Sequence, residues 1–114
     1  MTFLLACAAS DVPADEALGV TLGDVDVAIA RDGDDFYAIH DLCSHASVSL
    51  SEGEVSVTNG VCAVECWLHG SRFDLRTGKP TGLPATEPVA TFPVEVRDDG
   101  VYVDTATTLN GVHP

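Results

Sequence analysis

Two short cysteine–histidine pairs place the strongest constraint on this chain. Cys43-x-His45 and Cys66-x-x-His69 each bring one thiolate and one imidazole close together on a tight loop. The stretch between His45 and Cys66 is long enough for a hairpin that leads the chain away and returns it. The two loops can therefore face one another, and the pattern predicts a metal site.

Length and composition favour one globular domain. The chain has 114 residues, of which 46% are hydrophobic and 20% charged, so it can bury a single modest core. We expect this domain to span residues 1–104, with its metal-binding part at about 40–84. Residues 105–114 show no periodicity, and we expect them to form a loose tail.

Acidic residues dominate the charge. Eighteen Asp and Glu against five Lys and Arg give a formal net charge of −13, which repels nucleic acid and anionic membranes and favours basic protein partners. No apolar run approaches the roughly 18 residues of a membrane helix. Four cysteines, two of them paired with histidines, are typical of a reduced metal binder rather than a disulfide scaffold. We therefore expect a cytoplasmic protein that binds neither nucleic acid nor membrane.

Short alternating apolar segments predict an all-β domain. No segment has the pattern of an amphipathic helix of ten or more residues, although Ala14–Ala17 could form one helical turn. The predicted architecture is a small barrel or sandwich of short antiparallel strands. The predicted strands are Phe3–Ala8, Val25–Ile29, Phe36–Ile39, Glu54–Thr58, Val61–Glu65, Arg72–Leu75, Phe92–Arg97 and Val101–Asp104.

The dipeptide Asn59-Gly60 is the strongest hairpin signal in the chain, because both residues tolerate positive φ. A two-residue turn pairs Thr58 with Val61 and thereby fixes the register of both strands. One apolar face of this hairpin then holds Val55, Val57, Cys62 and Val64. The same register predicts that Cys62 is a small buried apolar residue and not a metal ligand.

Two thiolates and two imidazoles can hold either one zinc ion or an iron–sulfur cluster. Zinc fingers usually order their ligands as a cysteine pair followed by a histidine pair, whereas here each loop carries one of each. This order suits a two-iron cluster in which Cys43 and Cys66 hold one iron and the two histidines hold the other.

The residues around the ligands resemble the Rieske ferredoxin family, and the resemblance covers roughly residues 25–104. In its details the sequence is similar to the actinobacterial branch, whose members are described as ferredoxin subunits of non-haem iron oxygenases or are similar to proteins of sulfur-mobilisation-type iron–sulfur assembly. The segments that carry the resemblance are Cys43-Ser44-His45, Leu50-Ser51-Glu52-Gly53, Cys66-Trp67-Leu68-His69-Gly70, Arg72-Phe73-Asp74 and Thr77-Gly78-Lys79.

The resemblance implies one Rieske-type [2Fe-2S] cluster per chain, bound by Cys43, His45, Cys66 and His69. It implies a one-electron carrier without catalytic residues of its own. A flavoprotein or ferredoxin reductase would be the donor, and a non-haem iron oxygenase of the aromatic-ring hydroxylating type the acceptor. Two alternatives stay open: a ferredoxin that serves iron–sulfur cluster assembly, and a structural zinc-binding interaction module.

The resemblance also draws attention to residues around the ligands. Val48 and Leu68 stand where respiratory Rieske proteins carry a bridging cysteine pair, so packing and hydrogen bonds alone must hold the loops. Ser71 matches a hydroxyl that bonds a cluster sulfide in the respiratory type, and Phe73 replaces a tyrosine of that type. We expect Trp67 either to shield the cluster or to belong to the core.

Overall fold

Ten strands in three antiparallel sheets form the framework of the described chain. The computed structural model describes residues 3–44, 48–68, 70–81 and 85–112. Within these ranges the only helical segments are two single 3₁₀ turns, Ala9–Asp11 and Leu50–Glu52, and no helix is long and apolar enough to cross a bilayer. The all-β prediction is confirmed. The strands are β1 (Leu4–Ala8), β2 (Leu18–Leu22), β3 (Val25–Asp32), β4 (Asp35–His40), β5 (Val55–Thr58), β6 (Val61–Glu65), β7 (Arg72–Asp74), β8 (Thr91–Phe92), β9 (Val94–Arg97) and β10 (Gly100–Val103).

The strand order shows how the metal-binding part joins the rest of the protein. One sheet has the order β1-β10-β9, a second β2-β3-β4-β8 and a third β5-β6-β7. Strand β3 contributes Val27 and Ile29 to one core cluster and Ala28 and Ala30 to another, because successive side chains of a strand point to opposite faces. The second cluster also contains Cys43, Cys66, Val64 of β6 and Phe73 of β7. Strand β3 is therefore the wall that both cores share.

The β5–β6 hairpin has the predicted register. Thr58 pairs with Val61, and Asn59 and Gly60 occupy the turn with φ values of 53° and 78°. One member of the predicted apolar face is not buried, because Val57 is 51% exposed. On the other face Ala63 is buried, and the Arg72 side chain lies on that face and donates hydrogen bonds to the Ser56 and Thr58 hydroxyls. Val57 lies beside the turn, outside the core cluster that Val55 and Val64 join.

Two local predictions differ from the structure. Residues 14–17 form no helical turn; instead Glu16 makes an isolated β-bridge with Glu54, and β2, which the sequence analysis did not predict, follows at once. The predicted strand Phe92–Arg97 is interrupted at Pro93. Proline has no N–H to donate to a ladder, which explains the separation of β8 from β9.

The described part of the C-terminal segment, residues 105–112, is docked and not loose. The Asn110 side-chain amide donates to the carbonyls of Thr77 and Val89 at 3.0 and 2.8 Å. Its oxygen accepts the N–H of Thr91 at 3.2 Å, and the N–H of Leu109 donates to the Thr91 carbonyl at 2.8 Å. These bonds attach the segment to β8 and to the loop after β7.

Candidate metal centre

Cys43 and Cys66 begin two loops that are closed by equivalent main-chain hydrogen bonds. The N–H of Cys43 donates to the Val48 carbonyl at 2.9 Å, and the N–H of Cys66 donates to the Ser71 carbonyl at 2.6 Å. In both loops the acceptor lies five residues after the donor. The N–H of Gly70 also donates back to the Cys66 carbonyl at 2.9 Å. The two half-sites differ in their cysteine–histidine spacing, but a main-chain hydrogen bond between residues five apart closes each of them.

Both cysteines are buried in the same core cluster, with exposed fractions of 3% and 1%. Strand β4 leads into the first loop through residues 41 and 42, and β6 leads directly into the second. Burial disfavours a thiolate unless a cation or hydrogen bonds compensate its charge. Two buried cysteines on loops that equivalent hydrogen bonds close suit a bound metal centre.

The two predicted histidine ligands, His45 and His69, lie outside the described residues. Within the described ranges, no three His, Cys, Asp or Glu residues are grouped as a metal site. The fit to a cofactor therefore rests on the donor set of the two loops. Two thiolates and two imidazoles are the ligands of an asymmetric Rieske [2Fe-2S] centre, so the chemistry of these residues fits that group.

The other cysteines remain outside this centre. Cys62 is 2% exposed on β6, and burial, aided by the charges of Asp32 and Asp74, raises the pKa of its thiol to about 11. Burial, together with Asp11, also raises the pKa of Cys7. Among the described residues Cys7, Cys62 and Cys66 form no disulfide. The predicted burial of Cys62 as a small apolar residue is confirmed.

The residues predicted to surround the ligands fall into two groups. Ser71 and Phe73 are fully buried beside the second loop, and the Ser71 hydroxyl oxygen accepts the N–H of Ala85 at 3.1 Å. Trp67 is 54% exposed, so the alternative of a core role is wrong. Its indole instead lines a shallow groove with Glu52, Gly53, Glu54 and Glu65.

The basic residues after the second half-site do not form one continuous group. Arg72 is partly buried and held against β5 by hydroxyl groups, as described above. Arg76 and Lys79 are exposed on the surface.

His40, at the end of β4, is half-buried, and its backbone N–H donates to the Ala90 carbonyl at 2.9 Å. Burial lowers the pKa of its imidazole, and the opposing effects of Asp26 and Asp41 are smaller. The main-chain hydrogen bond and the partial burial of His40 indicate a structural position.

Sequence reasoning missed two features of the loops. Leu42 and Leu68 are 41% and 42% exposed although both are large and apolar. Leu42 precedes Cys43, and Leu68 lies between Cys66 and His69. Leucine at these positions could have indicated an apolar surface at the metal site, because metal binding itself does not require leucine. Asp41 was also missed, because its hydrogen bonds with Ser51 form only in the folded loop.

Comparison with known proteins decides the family. Residues 2–93 match the family model described as the Rieske [2Fe-2S] domain. The chain belongs to the Rieske [2Fe-2S] family. This Rieske protein is 42% identical over 104 residues to the 3-phenylpropionate/cinnamic acid dioxygenase ferredoxin subunit of Escherichia coli (strain K12). The alignment covers 91% of the chain and 94% of that relative.

Solved structures agree with the family assignment. The ferredoxin of carbazole 1,9a-dioxygenase from Nocardioides aromaticivorans IC177 superimposes with a TM-score of 0.82 at 34% identity, over 90% of the Rieske chain and 97% of that structure. A chain in the complex of reduced oxygenase and oxidised ferredoxin in carbazole 1,9a-dioxygenase gives a TM-score of 0.76 at 41% identity, over 89% and 91% of the two chains.

These findings confirm the predicted cofactor and role. The Rieske protein carries a [2Fe-2S] cluster and is an electron-transfer ferredoxin, not a catalytic subunit. The zinc-binding alternative is set aside, because the family that the chain matches is defined by the two-iron cluster.

Proposed function

We propose that this Rieske ferredoxin passes single electrons from a reductase to a non-haem iron oxygenase of the aromatic-ring hydroxylating type. The observation that carries the proposal is the pair of buried cysteines on equivalently closed loops, in a chain similar to dioxygenase ferredoxin subunits. The neighbour solved as a complex of oxygenase and ferredoxin supports the choice of acceptor.

Within this function we assign Cys43 and Cys66 to one iron and His45 and His69 to the other. When bound, the cluster supplies one-electron redox chemistry, and its histidine ligands leave it two charge units less negative than a four-cysteine cluster. An electron is therefore added more easily, and Rieske potentials lie at roughly −150 to +300 mV. The chain's own contribution is to bury both thiolates and to fix the loops through main-chain hydrogen bonds.

The partner surface that we assign surrounds these loops. Leu42, Trp67 and Leu68 expose 41%, 54% and 42% of their surfaces on the segments that carry the two cysteines. Large apolar and aromatic side chains of this kind favour transient protein contacts, and electron transfer requires close approach to the cluster. The net charge of −13 and the glutamates beside Trp67 suit an oxygenase or reductase surface with a basic rim.

The ligand assignment is tested by spectroscopy of protein purified without oxygen. Cys43→Ala and Cys66→Ala should abolish the visible absorption and the EPR signal of the reduced cluster. Cys62→Ala is the matched control and should retain both, because Cys62 is a core residue of β6. A colourless, EPR-silent wild-type protein with stoichiometric zinc would contradict the cluster.

The acceptor is tested by stopped-flow reduction of an aromatic-ring hydroxylating oxygenase, such as the carbazole 1,9a-dioxygenase component, by the reduced ferredoxin. Leu68→Ser should slow the second-order rate about tenfold, the effect of losing about 1.4 kcal/mol of contact energy. Leu5→Ser, at a 59% exposed position on β1, is the matched control and should leave the rate unchanged.

The same experiment can overturn the proposal. Both variants must keep the wild-type midpoint potential, so that a change in rate reports docking. Equal rates for the two variants would remove Leu68 from the partner surface. A ferredoxin that reduces no such oxygenase but accelerates cluster formation on an iron–sulfur scaffold would support the assembly role instead.

A further inference from the structure

We propose that the carboxylate of Asp41 positions the first ligand loop by joining its two ends. One oxygen of Asp41 accepts the N–H of Ser51 at 2.7 Å, and the other accepts the hydroxyl of the same serine at 2.7 Å. Asp41 precedes the loop that begins at Cys43, and Ser51 follows its closing residues in sequence. The inference rests on the proposed role of this loop in holding the cluster.

Both residues of this pair are attached to rigid parts of the fold. The N–H of Asp41 donates to the Asp26 carbonyl at 2.9 Å, which fixes the start of the loop to β3. Ser51 follows Leu50, whose side chain is fully buried in the core cluster that contains Cys43. The two hydrogen bonds thus connect two anchored points on either side of the loop.

Strand β2 covers the pair closely. A Cβ atom at Gly19 would lie 2.7 Å from the Ser51 hydroxyl oxygen and 3.0 Å from an oxygen of Asp41. Any side chain at position 19 would therefore displace the pair. Asp41 itself is only 9% exposed. The two hydrogen bonds are partly buried, and partial exclusion of water makes them stronger than fully exposed ones.

The first loop has Val48, and not a cysteine that could bridge it to the second loop. The Asp41–Ser51 hydrogen bonds restrict the first loop in a different way, because they remove conformations in which its own two ends separate. Iron can leave only when the loop opens, so loss of the pair should accelerate cluster release.

The charge of Asp41 has a second effect. Among the described residues no Lys or Arg forms an ion pair with Asp41, and both of its side-chain hydrogen bonds come from Ser51. A buried negative charge close to the first loop opposes the addition of an electron to the cluster. Asp41 therefore lowers the reduction potential in addition to holding the loop.

The test compares Asp41→Ala, Asp41→Asn and Ser51→Ala in the cluster-containing protein. Release of the cluster to an iron chelator is followed by visible absorption, and hydrogen–deuterium exchange is followed over residues 43–50. Asp41→Ala and Ser51→Ala should each release the cluster at least tenfold faster and increase the exchange of this loop. Asp41→Asn, which keeps one oxygen for the Ser51 N–H, should fall between wild type and Asp41→Ala.

The midpoint potential separates the charge from the hydrogen bonds. Asp41→Asn should raise the potential, whereas Ser51→Ala, which removes no charge, should change it less. Asp24→Asn removes the same charge at an exposed turn and is the control for both readouts. A double variant Asp41→Ala/Ser51→Ala should release the cluster no faster than the faster single variant, because the two residues act as one unit.

Wild-type release and exchange rates in both Asp41→Ala and Ser51→Ala would overturn the inference. Additive effects in the double variant would show that the residues act independently and would also overturn it. These outcomes leave the ligand assignment standing, because that assignment is judged on the cysteine variants. Circular dichroism of each variant establishes that a faster release does not arise from global unfolding.

Discussion

The hydroxyl oxygen of Ser71 accepts the backbone N–H of Ala85 at 3.1 Å and so connects the second ligand loop to the segment after β7. Both residues are buried, with exposed fractions of 1% and 3%. A hydroxyl has one proton to donate in addition to its acceptor sites, and this bond does not use that proton. The contact fixes the oxygen beside the loop of Cys66 and leaves the proton for a second partner.

Replacement of Ser71 by alanine should lower the midpoint potential of the cluster. We assign the hydroxyl proton to a cluster sulfide, and such a bond favours the reduced, more negative state. A difference of about 1.4 kcal/mol between the two states corresponds to roughly 59 mV for one electron. Protein-film voltammetry of wild type and Ser71→Ala measures this shift. Ser10→Ala, at an exposed position distant in sequence, is the control, and an unchanged potential in Ser71→Ala would remove the proposed role.

The parts of the fold that could be predicted from sequence are those in which one residue type dictates the backbone. Asn59-Gly60 set the hairpin register, because few other pairs tolerate positive φ at both turn positions. Strand β2 was missed because Gly19 lowers strand propensity. The structure explains this glycine, because a side chain at position 19 would collide with Asp41 and Ser51. Both residues are distant from Gly19 in sequence, so no local pattern reveals the contact.

The same limit applies to the candidate site. The cysteine positions and their chemistry follow from spacing, whereas the equivalent closure of the two loops depends on main-chain bonds that any residue type can make. The burial of Ala63 depends on the path of the Arg72 side chain across its face of the hairpin. Neither can be deduced from residue identity alone, because both are consequences of tertiary packing.

Substitution of Gly60 should destabilise the hairpin without altering the cluster. Gly60 has a φ of 78°, and a Cβ atom there would meet nothing within 4 Å, so only backbone strain opposes alanine. We expect Gly60→Ala to lower the free energy of unfolding by about 1 kcal/mol. Chemical denaturation measures this loss, and the visible spectrum reports the cluster. Asn59→Gly is the matched control. It should lower the free energy of unfolding by less than Gly60→Ala does, because glycine adopts the φ of 53° at this position without strain. Equal stability of Gly60→Ala and wild type would contradict the strain.

The Cys62 thiol should resist alkylation at neutral and mildly basic pH. Its pKa of about 11 leaves a thiolate fraction of about one in a thousand at pH 8, and its side chain is 2% exposed. In the folded, cluster-containing protein with Cys7→Ala, mass spectrometry after iodoacetamide treatment should find Cys62 unmodified at pH 8. Denaturation before treatment should expose it to complete modification. Alkylation of Cys62 at pH 8 with the visible spectrum intact would contradict its assigned burial.

His40 should make the protein less stable on mild acidification. Burial lowers the pKa of its imidazole in the folded state, so the unfolded chain takes up the proton first, near pH 6.5. The contribution of neutral His40 is therefore present above pH 6.5 and is lost as the pH falls through the lower folded-state pKa. The measurement is the thermal midpoint of wild type minus that of His40→Asn, determined at several pH values from 7.5 to 5.5. We expect this difference to decrease as the pH falls. Both proteins carry the same cluster ligands, so their titration cancels in the comparison. A constant difference across this range would show that His40 does not carry the pH dependence.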